Sequence, residues 1–227
     1  YGFLFTLLAD VICRLGNGNW WLTLGLFKFV NLLAYASTGL LVWLGAKTTG
    51  QLRPDKALYL YLWSPLVLMH CIANGHNDIL TGLFLMLAVY FAITERWFWI
   101  IPALAAAALL KYSPALLIPM AFILVGKNRS WRVAILSLIA GGALVAHTSY
   151  PYLQDWQHLR FTDIKDNAAL IDNSLLSFLI HIFENISRLI APLAPFNDIV
   201  KTSFRILIGG CFLLFLGWQY VTLPKVF

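Results

Sequence analysis

Charge is what this chain has least of. Asp, Glu, Lys and Arg make up 11% of its 227 residues, against about 25% in an average soluble domain. Hydrophobic side chains reach 60% and the mean hydropathy is +0.77, which excludes a water-soluble globule and indicates a polytopic membrane protein. Cysteine is scarce too: Cys13, Cys71 and Cys211 lie far apart, without metal or redox spacing, and read as small apolar packing residues. No stretch carries a zinc or calcium ligand pattern. There is no internal repeat of roughly 20 to 50 residues and no low-complexity linker. Neither an initiator Met nor a signal peptide precedes Tyr1, so the chain reads as an internal piece of a longer protein. The formal charge of +6 comes from Lys and Arg set between apolar runs; it reports topology rather than nucleic-acid contact.

What is present is a series of apolar runs divided by short polar insertions. The reading is all-α: a transmembrane helical bundle of about seven passes, two of them short or broken. The passes are expected at Trp20–Ala46, Leu58–Cys71, Ile79–Ile93, Trp97–Leu110, Ala115–Val125, Trp131–Tyr150 and Phe204–Val221. Trp97–Leu110 and Ala115–Val125 are the short ones, divided by Lys111 and Pro114. Tyr1–Leu15, apolar but for Asp10 and Arg14, is expected as an interfacial amphipathic helix or the tail of an incomplete span, and Ser174–Ile190, apolar on one face with His181, Glu184 and Arg188 on the other, as a second interfacial helix. Residues 1–227 are read as one membrane-embedded domain lacking its N-terminal span and first external loop.

Threading the passes alternately puts Lys47, Arg53, Lys56, Arg96, Lys127, Arg129, Arg132 and Lys225 on one side, which the positive-inside rule makes cytoplasmic. The pentad Asn74-Gly75-His76-Asn77-Asp78, the insertion Lys111-Tyr112-Ser113-Pro114 and the segment Pro151–Lys201 then face outward.

Each polar residue has an ordinary explanation beside a functional one. Asp78, at the mouth of a bilayer helix, is costly unless paired or hydrated, yet Asn77 or Asp78 could simply cap the following helix. Asn74, Asn77 and Asp78 share one face if helical geometry runs through the pentad. For His76 a hydrogen-bonding role at the membrane surface outweighs a metal site. Lys111 snorkels or, beside backbone opened by Pro114, binds phosphate. Lys28 is read first as a snorkelling lysine and second as an ion-pair or phosphate residue. The basic segment containing Arg160 and Arg188 is by default a surface facing water or lipid headgroups.

Trp63-Ser64-Pro65-Leu66, the pentad, and Leu110-Lys111-Tyr112-Ser113-Pro114 together resemble the polytopic glycosyltransferases of the GT-C superfamily. More narrowly they resemble bacterial polyprenyl-phosphate-mannose-dependent mannosyltransferases. Tyr1-Gly2-Phe3-Leu4 is similar to the Tyr-Pro-Pro-Leu or Tyr-Gly-Pro-Leu opening of that family, with Phe3 where a proline is usual. Asp172-Asn173-Ser174-Leu175 is similar to a late Asn-Gln-Ser-Leu element without its glutamine.

The resemblance implies a membrane glycosyltransferase that moves a hexose, mannose by this likeness, from a polyprenyl-phosphate donor to an extracytoplasmic glycan or glycolipid. The lipid-linked donor, the acceptor and the bilayer are the partners, and the cell membrane is the location. It places the family's catalytic aspartate upstream of Tyr1, leaving Asp78, with His76, as the catalytic candidate within this chain. Lys111, Arg160 and Arg188 become donor-phosphate ligands, cations that can neutralise a monophosphate leaving group without a metal, so no metal and no cofactor is expected. Asn74, Asn77, Tyr112, Asn173 and Ser174 become pocket residues. The rival reading from another class is a multi-span transporter or lipid flippase, in which Lys28, Asp78 and Lys111 line a pathway; the absence of repeated halves speaks against it. A noncatalytic membrane scaffold would leave Asp78 and Lys111 without purpose.

Overall fold

The structure, a computed structural model, describes residues 2–153 and scattered helical positions between Ser203 and Trp218. Arg160, Asn173, Ser174, Arg188 and the expected interfacial helix at Ser174–Ile190 lie outside the described residues. The chain divides into two compact units, Tyr1–Gln154 with Lys225–Phe227, and Asp155–Pro224. Within the first unit, and among the described residues, every regular element is helical.

Helix α1 (Phe3–Gly16) ends at Asn17, whose left-handed backbone closes the turn, and α2 (Trp20–Thr49) begins on the Asn19 side chain, which accepts from the Leu22 amide. The sequence suggests an end for α2 at Ala46, but the helix continues to Thr49. Lys47 can stay helical because its ammonium sits 5.0 Å over the Trp43 ring, and the stop comes where Gly50 adopts a left-handed φ of 65°.

The expected single pass at Leu58–Cys71 is instead bent. α3 (Pro54–Leu62) and α4 (Pro65–Val67), which runs on as a π-helical turn (Leu68–Ala73), meet at 43°. Pro65 has no amide to donate and disfavours helical backbone at the preceding residue. Ser64 is accordingly extended, with ψ at 115°.

α5 (Asp78–Ile93) and α6 (Ile100–Leu110) form a hairpin through a 3-10 turn at Trp97–Trp99, and α7 (Ile118–Asn128) follows a second 3-10 turn at Ser113–Leu117. α8 (Trp131–Leu153) closes the unit. α6 is central: Ile101, Leu104, Ala105, Ala107 and Leu110 are all nearly inaccessible. Its run of alanines lets α1, α5 and α8 approach closely. A Cβ added to Gly141 of α8 would sit 3.3 Å from Ile101 and 3.4 Å from Ala105. The Ser137 hydroxyl donates to the Phe98 carbonyl at 2.6 Å, pinning α8 to the α5–α6 turn.

By length and composition, α2 and Trp131–Tyr152 can each cross a membrane, and the bent pair Pro54–Leu62 with Pro65–Ala73 makes a third candidate. Asp78–Ile93, Trp97–Leu110 and Ser113–Asn128 are shorter apolar helices, so two to three spans are supported here where about seven passes are expected from the whole sequence. At 16 residues, α5 covers about 24 Å, short of a hydrocarbon core of about 30 Å. Of the cysteines, Cys71 is buried as expected, whereas Cys13 and Cys211 are exposed.

The turns sort by charge. A Cβ on Gly45 would lie 3.7 Å from Ile93 Cδ1, so the last turns of α2 and α5 adjoin. Arg96 and Arg129 line one pocket at that same end. Lys47, Arg53, Arg96, Arg129 and Arg132 therefore gather at one end of the unit, while the pentad and Lys111 lie at the other. Lys111 marks a reversal between α6 and α7, not a flaw in one long helix.

Candidate functional site

The pentad is shaped by one glycine. The π-helical turn closes with the Asn74 amide donating to the Met69 carbonyl at 3.0 Å, and Gly75 then takes a φ of +72°, a conformation that costs an L side chain about 1 kcal/mol or more. This reversal breaks the single helical face expected for Asn74, Asn77 and Asp78. The chain re-enters helix at Asp78, with Asn77 at the N-cap making no side-chain capping bond. Capping therefore does not explain Asn77, and the Asp78 carboxylate is engaged elsewhere.

It is engaged by Lys111. At the end of α6 the backbone of Lys111 becomes extended, at φ −147° and ψ 130°, because Pro114 and the turn after it prevent the helix from continuing. That change carries Lys111 Nζ to 2.8 Å from Asp78 Oδ1. The lysine side chain is 51% and the aspartate side chain 49% exposed. An ion pair open to water to this degree contributes about 0–1 kcal/mol, so it is readily exchanged for another partner.

Gly2 holds this end of α6 in place. Its amide donates to the Leu110 carbonyl at 3.1 Å, and a Cβ at Gly2 would run into the Leu109 backbone. The N-terminal motif thus meets the lysine motif across more than a hundred residues of sequence, through a contact that only glycine permits.

Two residues of α2 complete the cluster. Lys28 Nζ donates to the carbonyls of Ala73 at 3.0 Å and Ile72 at 3.4 Å, acceptors left open where the π-helical turn ends. Asn31, one helical turn on and only 5% exposed, donates from Nδ2 to the His76 carbonyl at 3.4 Å. Both hold the pentad against α2. The Lys28 ammonium thus ends on backbone carbonyls of the pentad's approach, neither in an ion pair nor free. Asn31 belongs to no motif, and its one signal in the sequence is an amide inside an apolar span.

Between α1, α2 and the pentad lies a cavity of about 200 Å³. Lys28, Asn31, Asn74, Gly75 and Asn77 supply its polar side, and Phe5 and Leu8 of α1 are among its apolar walls. His76 is exposed beside it with its ring centroid 5.3 Å from that of His70. Tyr112 is half-exposed next to Lys111. The Lys28 ammonium is thus the one charge lining this largely apolar cavity, while the Lys111–Asp78 pair lies outside its lining at the same end of the unit. The arrangement suits a ligand that presents an anionic phosphate together with hydroxyl groups.

A family model described as "Alpha-(1->6)-mannopyranosyltransferase, N-terminal domain" matches residues 1–127. This stretch is more than half of the chain and includes Gly2, Lys28, Asn31, the pentad and Lys111. No curated protein and no solved structure matches the chain.

Proposed function

Since the chain belongs to the alpha-(1->6)-mannopyranosyltransferase family, and is in broad terms a membrane mannosyltransferase, we propose that it moves mannose from a polyprenyl-phosphate donor to an extracytoplasmic glycan or glycolipid. The observation that carries the reading is the 2.8 Å contact between Lys111 Nζ and Asp78 Oδ1. It joins two separate interruptions of apolar sequence into one water-accessible cluster.

In this reading the donor phosphate draws Lys111 away from Asp78, which the weakness of a half-exposed pair allows. The freed carboxylate takes the proton of the acceptor hydroxyl. The hydroxyl oxygen bonds to the anomeric carbon, and the bond from that carbon to the phosphate oxygen breaks through an oxocarbenium-like transition state. The electron pair stays on the lipid phosphate, whose charge meets Lys111 and, nearby, Lys28. Two ammonium groups suffice for a monophosphate, so the reading calls for no metal and no cofactor. Asn31, Asn74 and Asn77 face the sugar hydroxyls from the adjoining cavity, which has room for one monosaccharide. The outward orientation rests on the basic turns at the opposite end of the unit.

Membranes bearing the full-length protein, given polyprenyl-phosphate carrying radiolabelled mannose, should move label into a glycan or glycolipid fraction. Nucleotide-linked mannose, added to membranes depleted of polyprenyl phosphate, should not support transfer. Transfer from the nucleotide sugar alone would overturn the donor assignment.

A further inference from the structure

About 24 Å from the pentad along α5, a second pocket opens between the α5–α6 turn and the α7–α8 turn. Its volume is about 540 Å³, within the range of roughly 300–1,000 Å³ typical of small-molecule sites. Glu95, Arg96, Trp99 and Arg129 line it. Glu95 and Arg96 come from one turn and Arg129 from the other, and among the described residues none of the three has an ion-pair partner. Glu95 is also out of place by backbone criteria. It has a φ of +57° at a helix end where glycine or asparagine would sit without strain, so the glutamate side chain is kept at a conformational cost. Trp99 at 53% and Trp131 at 48% exposure flank this end, as indole rings do at the headgroup level of a bilayer.

We propose that this pocket holds the headgroup of a membrane phospholipid that carries both a phosphate and a primary amine. The phosphate lies between the guanidinium groups of Arg96 and Arg129, whose planar forks suit its oxygens. The ammonium faces the Glu95 carboxylate and the Trp99 ring. A simply anionic headgroup would leave Glu95 repelled, and a choline headgroup would offer that carboxylate no N–H donor. The acyl chains extend along the apolar outer faces of the helices. The site is remote from the proposed mannosyl-transfer residues and does not depend on their roles.

The test uses the full-length protein in detergent micelles doped with phosphatidylethanolamine, phosphatidylglycerol or phosphatidylcholine of identical acyl chains, with retained lipid counted by native mass spectrometry. Wild-type protein should retain phosphatidylethanolamine most strongly. R96Q/R129Q should lose retention of it by about tenfold or more, the scale of one charge-assisted hydrogen bond. E95Q should abolish the preference over phosphatidylcholine while keeping basal retention. The thermal midpoint and mannosyl transfer should stay unchanged in all variants. Equal retention by wild type and R96Q/R129Q, or a wild-type preference for phosphatidylglycerol, overturns the proposal. Soluble phosphoethanolamine provides the arm for a free ligand: displacement of the lipid at equimolar concentration would make the ligand a soluble metabolite and overturn the lipid assignment.

Discussion

Replacing Lys111 by Met separates a structural from a chemical role for the cation, because the structure sets different scales for the two. At 2.8 Å from Asp78 Oδ1 the Coulomb attraction is about 1.5 kcal/mol in a water-like dielectric and about 6 kcal/mol at an effective constant of about 20. Half-exposure of both side chains favours the lower figure, and the entropy of holding two side chains together reduces it to about 1 kcal/mol or less. Met keeps the aliphatic stem, so packing changes little. The thermal midpoint of Lys111→Met in detergent should therefore fall by no more than about 4 °C. If Nζ meets charge developing on the departing phosphate, losing it should slow transfer by about 100- to 1,000-fold, the scale of removing one preorganised donor to a reacting oxyanion. Initial rates from radiolabelled polyprenyl-phosphate mannose, normalised to folded protein by size-exclusion chromatography, give the comparison. Transfer within threefold of wild type would refute the phosphate role. A rate that falls only in proportion to lost folded protein would reassign Lys111 to structure.

Three further outcomes follow from the same geometry. Asp78→Asn releases Lys111 for the donor while removing the proposed base, so kcat should fall by about 100-fold or more while KM for the donor falls; steady-state kinetics with both parameters unchanged would remove Asp78 from the site. Gly2→Ala pushes a methyl group into the Leu109 backbone and should destabilise by about 1–3 kcal/mol, lowering transfer with it; a wild-type thermal midpoint would contradict the tether. Lys28→Met leaves the Ala73 and Ile72 carbonyls without their ammonium donor, and it should increase hydrogen exchange at the pentad amides while sparing those of α6; unchanged exchange would mean that Lys28 does not hold the loop.

Helix identity was legible along the described chain because long apolar runs admit few alternatives once backbone groups must be satisfied in lipid. The meeting of the pentad with Lys111 was legible too, through the charge of the intervening turns. What could not be read was local geometry set by single residues. Ser64-Pro65 bends a run whose hydropathy is continuous, because the bend comes from a missing amide and not from polarity. Gly75 reverses a spacing that looks helical. The capping explanation for Asp78 gave way because Lys111 is its neighbour only after α5 and α6 fold back on each other. Lys28 and Asn31 bind backbone carbonyls, acceptors that every residue carries, so no motif in the sequence announces their partners. The Gly2 contact with Leu109 and Leu110 is of the same kind.

In the proposed orientation the Asp78–Lys111 cluster opens to water outside the cell while the basic turns face inward. In a cysteine-free full-length background, His76→Cys and Arg96→Cys can be labelled in intact cells with a membrane-impermeant maleimide, and again after permeabilisation. His76→Cys should react in intact cells and Arg96→Cys only once the membrane is opened. The reverse pattern, or reaction of both from the same side, would contradict the account.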